Sequence, residues 1–250
     1  MKKLFLLLAL LGFTATTFAQ EKSDSLEAKQ QIDTRDRLVF ELVHNNWHNK
    51  PEDVAIKWYN RGVNALVLYD FPLLGKNNNV SAAPGFGISN SNIYSDSYIS
   101  TDTAGVSFFQ NLPATILAID HNNDTTSIEN VVRRNKLSTT YLSVPLELRF
   151  RTNPDKFGKS WKLALGARVG YCLDAHTNYK GGDFLFNTSN EIHIKDKALP
   201  NIPKWRYGVT ARLGYSNFNV FGHYSLSTLF DKDQGPGIHP FSVGISFNSF

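Results

Sequence analysis

An eight-stranded antiparallel transmembrane β-barrel, all-β with short periplasmic turns and longer extracellular loops, is the fold class this sequence predicts. Three observations predict it. Eight segments alternate apolar with polar or small residues at a period of two. Short and long connections between those segments alternate strictly. Beyond the first twenty residues no apolar run reaches 18 residues, which excludes membrane-spanning helices but not strands, whose alternation dilutes hydrophobicity.

Residues 1–19 read as a secretory signal peptide. Met1-Lys2-Lys3 is a positive start, and Leu4 to Phe13 is an apolar run too short to cross a membrane as a helix. Thr17-Phe18-Ala19 places small residues at the −3 and −1 positions, so cleavage is expected after Ala19, with Gln20 as the new first residue. No cysteine follows that point, so a lipid anchor is not expected there. Residues 20–36 form a polar lead-in without strand character, and residues 37–250 form the barrel, read as one domain.

The first strand is predicted over Leu38 to Trp47, with Leu38, Phe40 and Leu42 on one face and Glu41 on the other. The second runs Gly62 to Phe71. Its outward set is Val63, Ala65, Val67, Tyr69 and Phe71, its inward set includes Asn64 and Asp70, and Leu66 and Leu68 break the polarity. The third, Asn79 to Ser89, carries Pro84, which cannot donate to a ladder, so a bulge or local break is expected there. The fourth, Leu137 to Arg151, sets Leu142, Val144, Leu146, Leu148 and Phe150 against Tyr141, Ser143, Pro145, Glu147, Arg149 and Arg151.

The fifth, Trp161 to Asp174, is the clearest. Its odd positions are apolar and aromatic at both ends, and its even positions include Lys162, Gly166, Arg168, Gly170 and Cys172. Large apolar residues on one face, with glycine and charge on the other, suit a strand with lipid outside and a narrow polar lumen inside. The sixth, Trp205 to Tyr215, repeats that pattern with Arg206, Gly208, Thr210, Arg212 and Gly214 inward. The seventh, Phe218 to Leu229, places His223, Ser225 and Ser227 inward, and the eighth runs Phe241 to Phe250. Segments of about 9–11 residues cross a bilayer as tilted strands, and a closed even count leaves no edge for lipid to meet.

The short connections lie around Gly75-Lys76-Asn77, over Asn153 to Gly158, and at Ser216-Asn217; the longer ones cover about 46–61, 90–136, 174–204 and 230–240. This sorting puts both barrel ends on the periplasmic side, residue 161 at the periplasmic end and residue 174 at the outer rim. The 47-residue stretch 90–136 is too long for a simple connection and is the expected binding or capping element, with Tyr94, Tyr98, Phe108 and Phe109 available to fold onto the rim.

Composition excludes other classes. The chain has 26 basic and 22 acidic residues, and loss of Lys2 and Lys3 leaves 24 against 22, too small an excess to argue for nucleic acid. A single cysteine, Cys172, rules out an intramolecular disulfide framework, and its inward phase suits a small filler.

Taken together, a leader ending Phe-Ala-Gln, the run Tyr141-Leu142-Ser143-Val144-Pro145-Leu146-Glu147-Leu148-Arg149-Phe150 and the Gly-Ala-Arg-Val-Gly-Tyr strand resemble the small outer-membrane β-barrel proteins of Bacteroidetes-type bacteria, the PorT-like group. The resemblance implies outer-membrane localisation. The partners expected are outer-membrane lipid, the barrel-assembly machinery and an extracellular or secretion-related protein. No cofactor is expected. Such barrels usually end on an aromatic in phase with the outward residues. Here Phe241 to Phe247 are odd and Phe250 is even, so either a bulge at Asn248-Ser249 restores the phase or the ending is atypical.

The inward set holds the expected site: Glu41, Asp70, Glu147, Arg149, Arg151, Lys162, Arg168, Arg206, Arg212 and His223. An eight-stranded lumen is about as wide as its own side chains, so these charges are expected to pair into a plug. The excess of bases leaves a narrow anion-preferring conduit as an alternative. Trp47, Trp161, Tyr171, Trp205 and Tyr215 are assigned to the aromatic girdles. A lipid-modifying enzyme would need Ser, His and an acid in contact. His223 and Ser225 share a face with Glu147 also inward, but same-face neighbours two apart lie about 7 Å apart and are not a triad alone. Catalysis is not expected. His44 and His48 lack a third ligand, and Asp231-Lys232-Asp233-Gln234-Gly235 lacks the Glu of a calcium loop, so no metal site is expected.

Overall fold

The computed structural model describes residues 38–74, 79–119, 125–153, 159–185 and 188–249. The signal peptide, the lead-in, most of the two longer periplasmic turns and Phe250 lie outside the described residues. Fourteen strands form among the described residues: β1 (Leu38–His48), β2 (Arg61–Leu68), β3 (Phe71–Leu74), β4 (Val80–Tyr94), β5 (Ser97–Thr101), β6 (Ser107–Asn111), β7 (Thr115–Ile119), β8 (Thr125–Glu129), β9 (Arg134–Arg151), β10 (Trp161–Asp183), β11 (Thr188–Asp196), β12 (Trp205–Tyr215), β13 (Phe218–Ser225) and β14 (His239–Ser249).

Eight of them close a ring in which every pairing is antiparallel: β1, β2, β4, β9, β10, β12, β13, β14 and back to β1. These correspond to the eight predicted segments, and β12 coincides with its prediction. The stagger of the ring can be read from its partners. From Lys162 the register passes through Gly214, Asn219, Ser246, Glu41, Asn64, Ser89 and Tyr141 and returns to β10 at Cys172, ten residues further on. A stagger of that size in eight strands means a tilt of about 40°, so each residue climbs about 2.5 Å along the axis.

Alternation holds throughout the crossing segments. Outward side chains such as Phe40, Leu146, Leu165, Val209 and Val220 are exposed, Val220 at 66%, while their strand neighbours are buried. In water this would be a very large apolar surface; facing acyl chains it is the solvated side. Trp161 lies 5.4 Å from Tyr215, and Tyr171 lies 5.1 Å from Trp205, ring centre to ring centre. The ten residues from Trp161 to Tyr171 climb about 25 Å, the height of the apolar band of an outer-membrane barrel.

Several boundaries differ from expectation. β9 and β10 run on to Arg134 and Asp183, well past the membrane band. The added stretches, 134–136 and 175–183, are mostly polar or small on both faces, so no alternation marks them, yet a ladder needs only backbone groups. β2 stops at Leu68 and Phe71 enters the short β3 beside β4. β13 stops at Ser225, and Leu229 leaves the strand for the outer mouth. Near Pro84 the β4–β9 ladder lapses between the pairs Pro84↔Leu146 and Gly87↔Ser143 without a change of register. Pro145 stands opposite the lapse, so both strands lack a donor there. A single residue, Leu173, bulges from β10 where it leaves the band. β14 pairs with β1 without interruption from His239 to Ser249, so of the two alternatives for the chain end no bulge at Asn248-Ser249 restores the phase.

Within 90–136 the described residues, 90–119 and 125–136, are structured. β4 continues to Tyr94, and two hairpins, β5–β6 and β7–β8, follow before β9 begins. β11 pairs with the outer half of β10.

Candidate functional site

The inward residues of the membrane band form one linked chain of charges. Arg168 from β10 donates to both carboxylate oxygens of Glu41 on β1, at 3.0 and 3.1 Å. Arg212 from β12 bridges two acids, giving Nη2 to Glu41 Oε1 at 2.6 Å and Nη1 to Glu147 Oε2 at 2.9 Å. Glu147 on β9 also accepts from Arg149 Nε at 3.1 Å. Arg149 and Arg151 then both meet Asp70, which follows β2; the Arg149 contact is 3.3 Å. Asn64 donates to Glu41 at 2.6 Å, and Ser81 donates to Asp70 at 3.1 Å.

Seven of the ten predicted lumen residues therefore join in one network, four arginines and three acids, from mid-membrane to the periplasmic end. Glu41 and Glu147 are 0% and 1% exposed. A buried carboxylate costs several kcal/mol unless paired and hydrogen-bonded, and each here meets two guanidinium groups. Glycine makes the room: a Cβ on Gly166 would stand 2.3 Å from the Leu146 carbonyl oxygen and 3.1 Å from Glu147 Cγ. The void between Arg149, Lys162, Arg212 and Asn219 measures about 10 Å³, room for about one water. Beside the charges Val39, Leu66, Leu68 and Ala83 form a buried apolar cluster, which explains the two leucines that broke the polarity of β2.

Sequence reasoning missed Phe221. It is buried on β13, with Arg168 5.0 Å and Arg212 5.5 Å from its ring centre, and its face offers both cations an attractive quadrupole. Its inward parity, shared with His223, was the available signal. The other three predicted residues are placed as follows. Arg206 stacks on Tyr141 at 3.9 Å. Lys162 lines the small void. His223 is buried under Gly208. Ser225 gives its hydroxyl to the Ser227 carbonyl at 2.9 Å, and Glu147 is held by two arginines, so the Ser, His and acid needed for a triad are not brought together. No group of three metal-ligating side chains occurs among the described residues.

Above this level the mouth is covered by an apolar core of Trp47, Val54, Ile93, Phe109, Leu137, Leu229, Phe230 and Ile238, with Ile56, Ile99, Leu199 and Ile202 against it. All four outer connections contribute. Trp47 and Phe109 rings lie 5.3 Å apart, and Phe109 and Phe230 lie 5.8 Å apart. The backbone locks the parts together: Ser107 N donates to Gln234 O at 2.9 Å, and Asp231 N donates to Asn201 O at 2.7 Å.

Trp47 is a correction. Assigned to the girdle, it is 5% exposed and points inward, because it shares parity with Glu41 and Asn45. Phase decides which way a strand residue faces; residue type does not. The other four girdle residues, Trp161, Tyr171, Trp205 and Tyr215, are outward and exposed. Of the four loop aromatics expected at the rim, Phe109 enters the core, Phe108 stays exposed, Tyr94 packs on Tyr59 at 5.0 Å and Tyr98 on Phe184 at 5.3 Å.

A closed lipid-facing barrel with charges inside matches what sequence comparison finds. Residues 9–231 match the family described as outer membrane protein beta-barrel domain. The chain belongs to that family. This outer-membrane barrel has no match among curated proteins. Among solved structures it is similar to the crystal structure of Ail, the attachment invasion locus protein of Yersinia pestis, at 14% identity over 84% of this chain and 95% of that one, with a TM-score of 0.34. A second Ail structure, in complex with the heparin analogue sucrose octasulfate, shows 15% identity over 84% and 96% of the two chains, with a TM-score of 0.30. At that distance neither likeness informs function.

Proposed function

We propose that this outer-membrane barrel is a sealed, non-catalytic scaffold whose extracellular head binds an extracellular or secretion-related protein. One observation carries the reading: four outer connections share a single apolar core above a set of linked charges that face the lumen. A head ordered in advance loses little conformational entropy on binding. The plugged lumen is tested in planar bilayers. No current above background is expected, and a stable single-channel current overturns the seal in favour of an anion-preferring conduit. Cross-linking from intact outer membrane, with and without deletion of residues 97–129, tests the head. A partner lost with the deletion is expected, and an unchanged cross-link pattern overturns that role. Lipid A of a strain lacking the protein should have an unchanged mass spectrum; a changed one would bring back the lipid-modifying enzyme.

The finer placement with the PorT-like barrels of Bacteroidetes-type bacteria is supported by the Tyr141 to Phe150 run and the leader. Delivery through the barrel-assembly machinery and cleavage after Ala19 belong to the same reading. N-terminal sequencing of protein taken from outer membrane should begin at Gln20, and retention of Met1 would refute the cleavage.

A further inference from the structure

Above the outer girdle the outward face changes character on one sector. The apolar outward rows of β4 and β9 give way to Asn92 and Tyr94 and to Lys136 and Arg134, while the inward row continues through Ile93 and Leu137 into the cap. Tyr94 pairs with Lys136, and Lys136 with Asn178 of β10. By register and tilt, Tyr94 and Lys136 stand roughly 10 Å above Tyr171, at the outer edge of the headgroup layer of a bilayer whose hydrocarbon ends at the girdle.

The segment 57–59 packs on this sector from outside. Lys57 N donates to Tyr94 O at 2.8 Å, the Tyr59 ring lies 5.0 Å from Tyr94, and Trp58 lies 5.8 Å from Tyr59. Trp58 is 84% exposed, an unfavourable setting for indole in water and an ordinary one among lipid headgroups. Lys136 Nζ is 5.9 Å from the Tyr94 ring centre and donates to Asn92 Oδ1 at 2.7 Å.

A cavity of about 200 Å³ opens beside them, with Lys57, Tyr59, Asp96, Arg133 and Arg134 in its wall. The acids nearby are already engaged. Asp96 Oδ1 accepts from Ala55 N and from Ser97 Oγ, both at 2.9 Å. Glu191 holds Arg133 at 2.9 Å and Lys180 at 3.0 Å. Lys57, Arg134 and Lys136 have no acidic partner among the described residues.

We infer that this sector binds the phosphate-bearing headgroup of an outer-leaflet lipid. Trp58 and Tyr59 sit in the headgroup layer, and Lys57, Arg134 and Lys136 donate to the phosphate. Charge complementarity and height both favour a lipid: three cations without an ion-pair partner, against the one carboxylate of Asp96 in the cavity wall, stand where anionic headgroups lie, next to aromatics that suit an interface.

The test uses the folded full chain in neutral detergent and native mass spectrometry. Three probes are added: bisphosphorylated lipid A, the same lipid without phosphates, and the deacylated disaccharide bisphosphate. The bisphosphorylated lipid should be retained at least about tenfold better than either of the others, since each cation at an anionic surface contributes roughly fivefold. The triple variant K57Q/R134Q/K136Q should lose that preference and bind the dephosphorylated lipid as before. Unchanged binding by the triple variant overturns the site, and equal retention of the deacylated sugar phosphate overturns the lipid as its source. Folding is checked by the heat-dependent gel mobility of a closed barrel. Should the triple variant fail that check, the exposed single variants K57Q and R134Q carry the test, each with a several-fold loss expected and no loss refuting the proposal.

Discussion

Between the two girdles seven linked charges face the lumen, whereas above them aliphatic and aromatic side chains pack together at the mouth. The surroundings explain the contrast. Inside the membrane band the outer face already meets lipid as apolar as leucine, so moving an apolar side chain from outside to inside gains little. The polar groups must then go inward, where they are tolerated only if every charge finds partners, as Glu41 and Glu147 do. At the mouth the alternative to burial is water, and covering Trp47, Phe109 and Phe230 gains about 25 cal/mol per Å² of apolar surface removed from it. One end thus depends on pairing and the other on the hydrophobic effect.

The largest effect should come from breaking the ionic end. Glu41→Gln leaves Arg168 and Arg212 short of a carboxylate, and a loss of about 3–5 kcal/mol is expected in urea unfolding of the refolded barrel. A loss below about 1 kcal/mol would mean a hydrated lumen and would erase the contrast. Next, Trp47→Ala should cost about 3 kcal/mol in the cap. It should speed proteolysis of the outer loops while heat-dependent gel mobility persists; simultaneous collapse of the barrel would show that the two ends are one cooperative unit. Phe221→Leu keeps an apolar side chain, though a smaller one, and removes the aromatic face under Arg168 and Arg212, for an expected loss of about 1 kcal/mol. The smallest effect lies outside the membrane.

At Asp174, burial raises the carboxyl pKa, but hydrogen bonds from His176 and Lys197 outweigh it and hold the group below its ordinary 3.8. A depressed folded pKa stabilises above the unfolded value and is lost as pH falls through the folded one. Asp174→Asn should therefore melt slightly below the wild type near neutral pH and converge with it below about pH 3.8; a constant difference across that range would refute the ionic origin.

Much of this was legible in the chain. The fifth and sixth segments showed their lipid and lumen faces directly, and β12 ended where its alternation ended. The stretches 134–136 of β9 and 175–183 of β10 were hidden because their residues are mostly polar or small on both faces. Trp47 was misassigned because an aromatic near a strand end suggests a girdle, although its parity put it beside Glu41. Phe221 was overlooked because an apolar residue on a polar row looks like noise until two guanidinium groups lie against it.

Alternation along each strand, which the sequence alone determines, settles which side chains face lipid and which face the lumen, since a strand has only two sides. The parity of connection lengths does the same for orientation. Which inward charges meet was decided only by tertiary structure. Arg212 and Glu41 are 171 residues apart and become neighbours because the closed ring is staggered by ten residues, a property of the whole circuit of backbone pairings that no single segment carries.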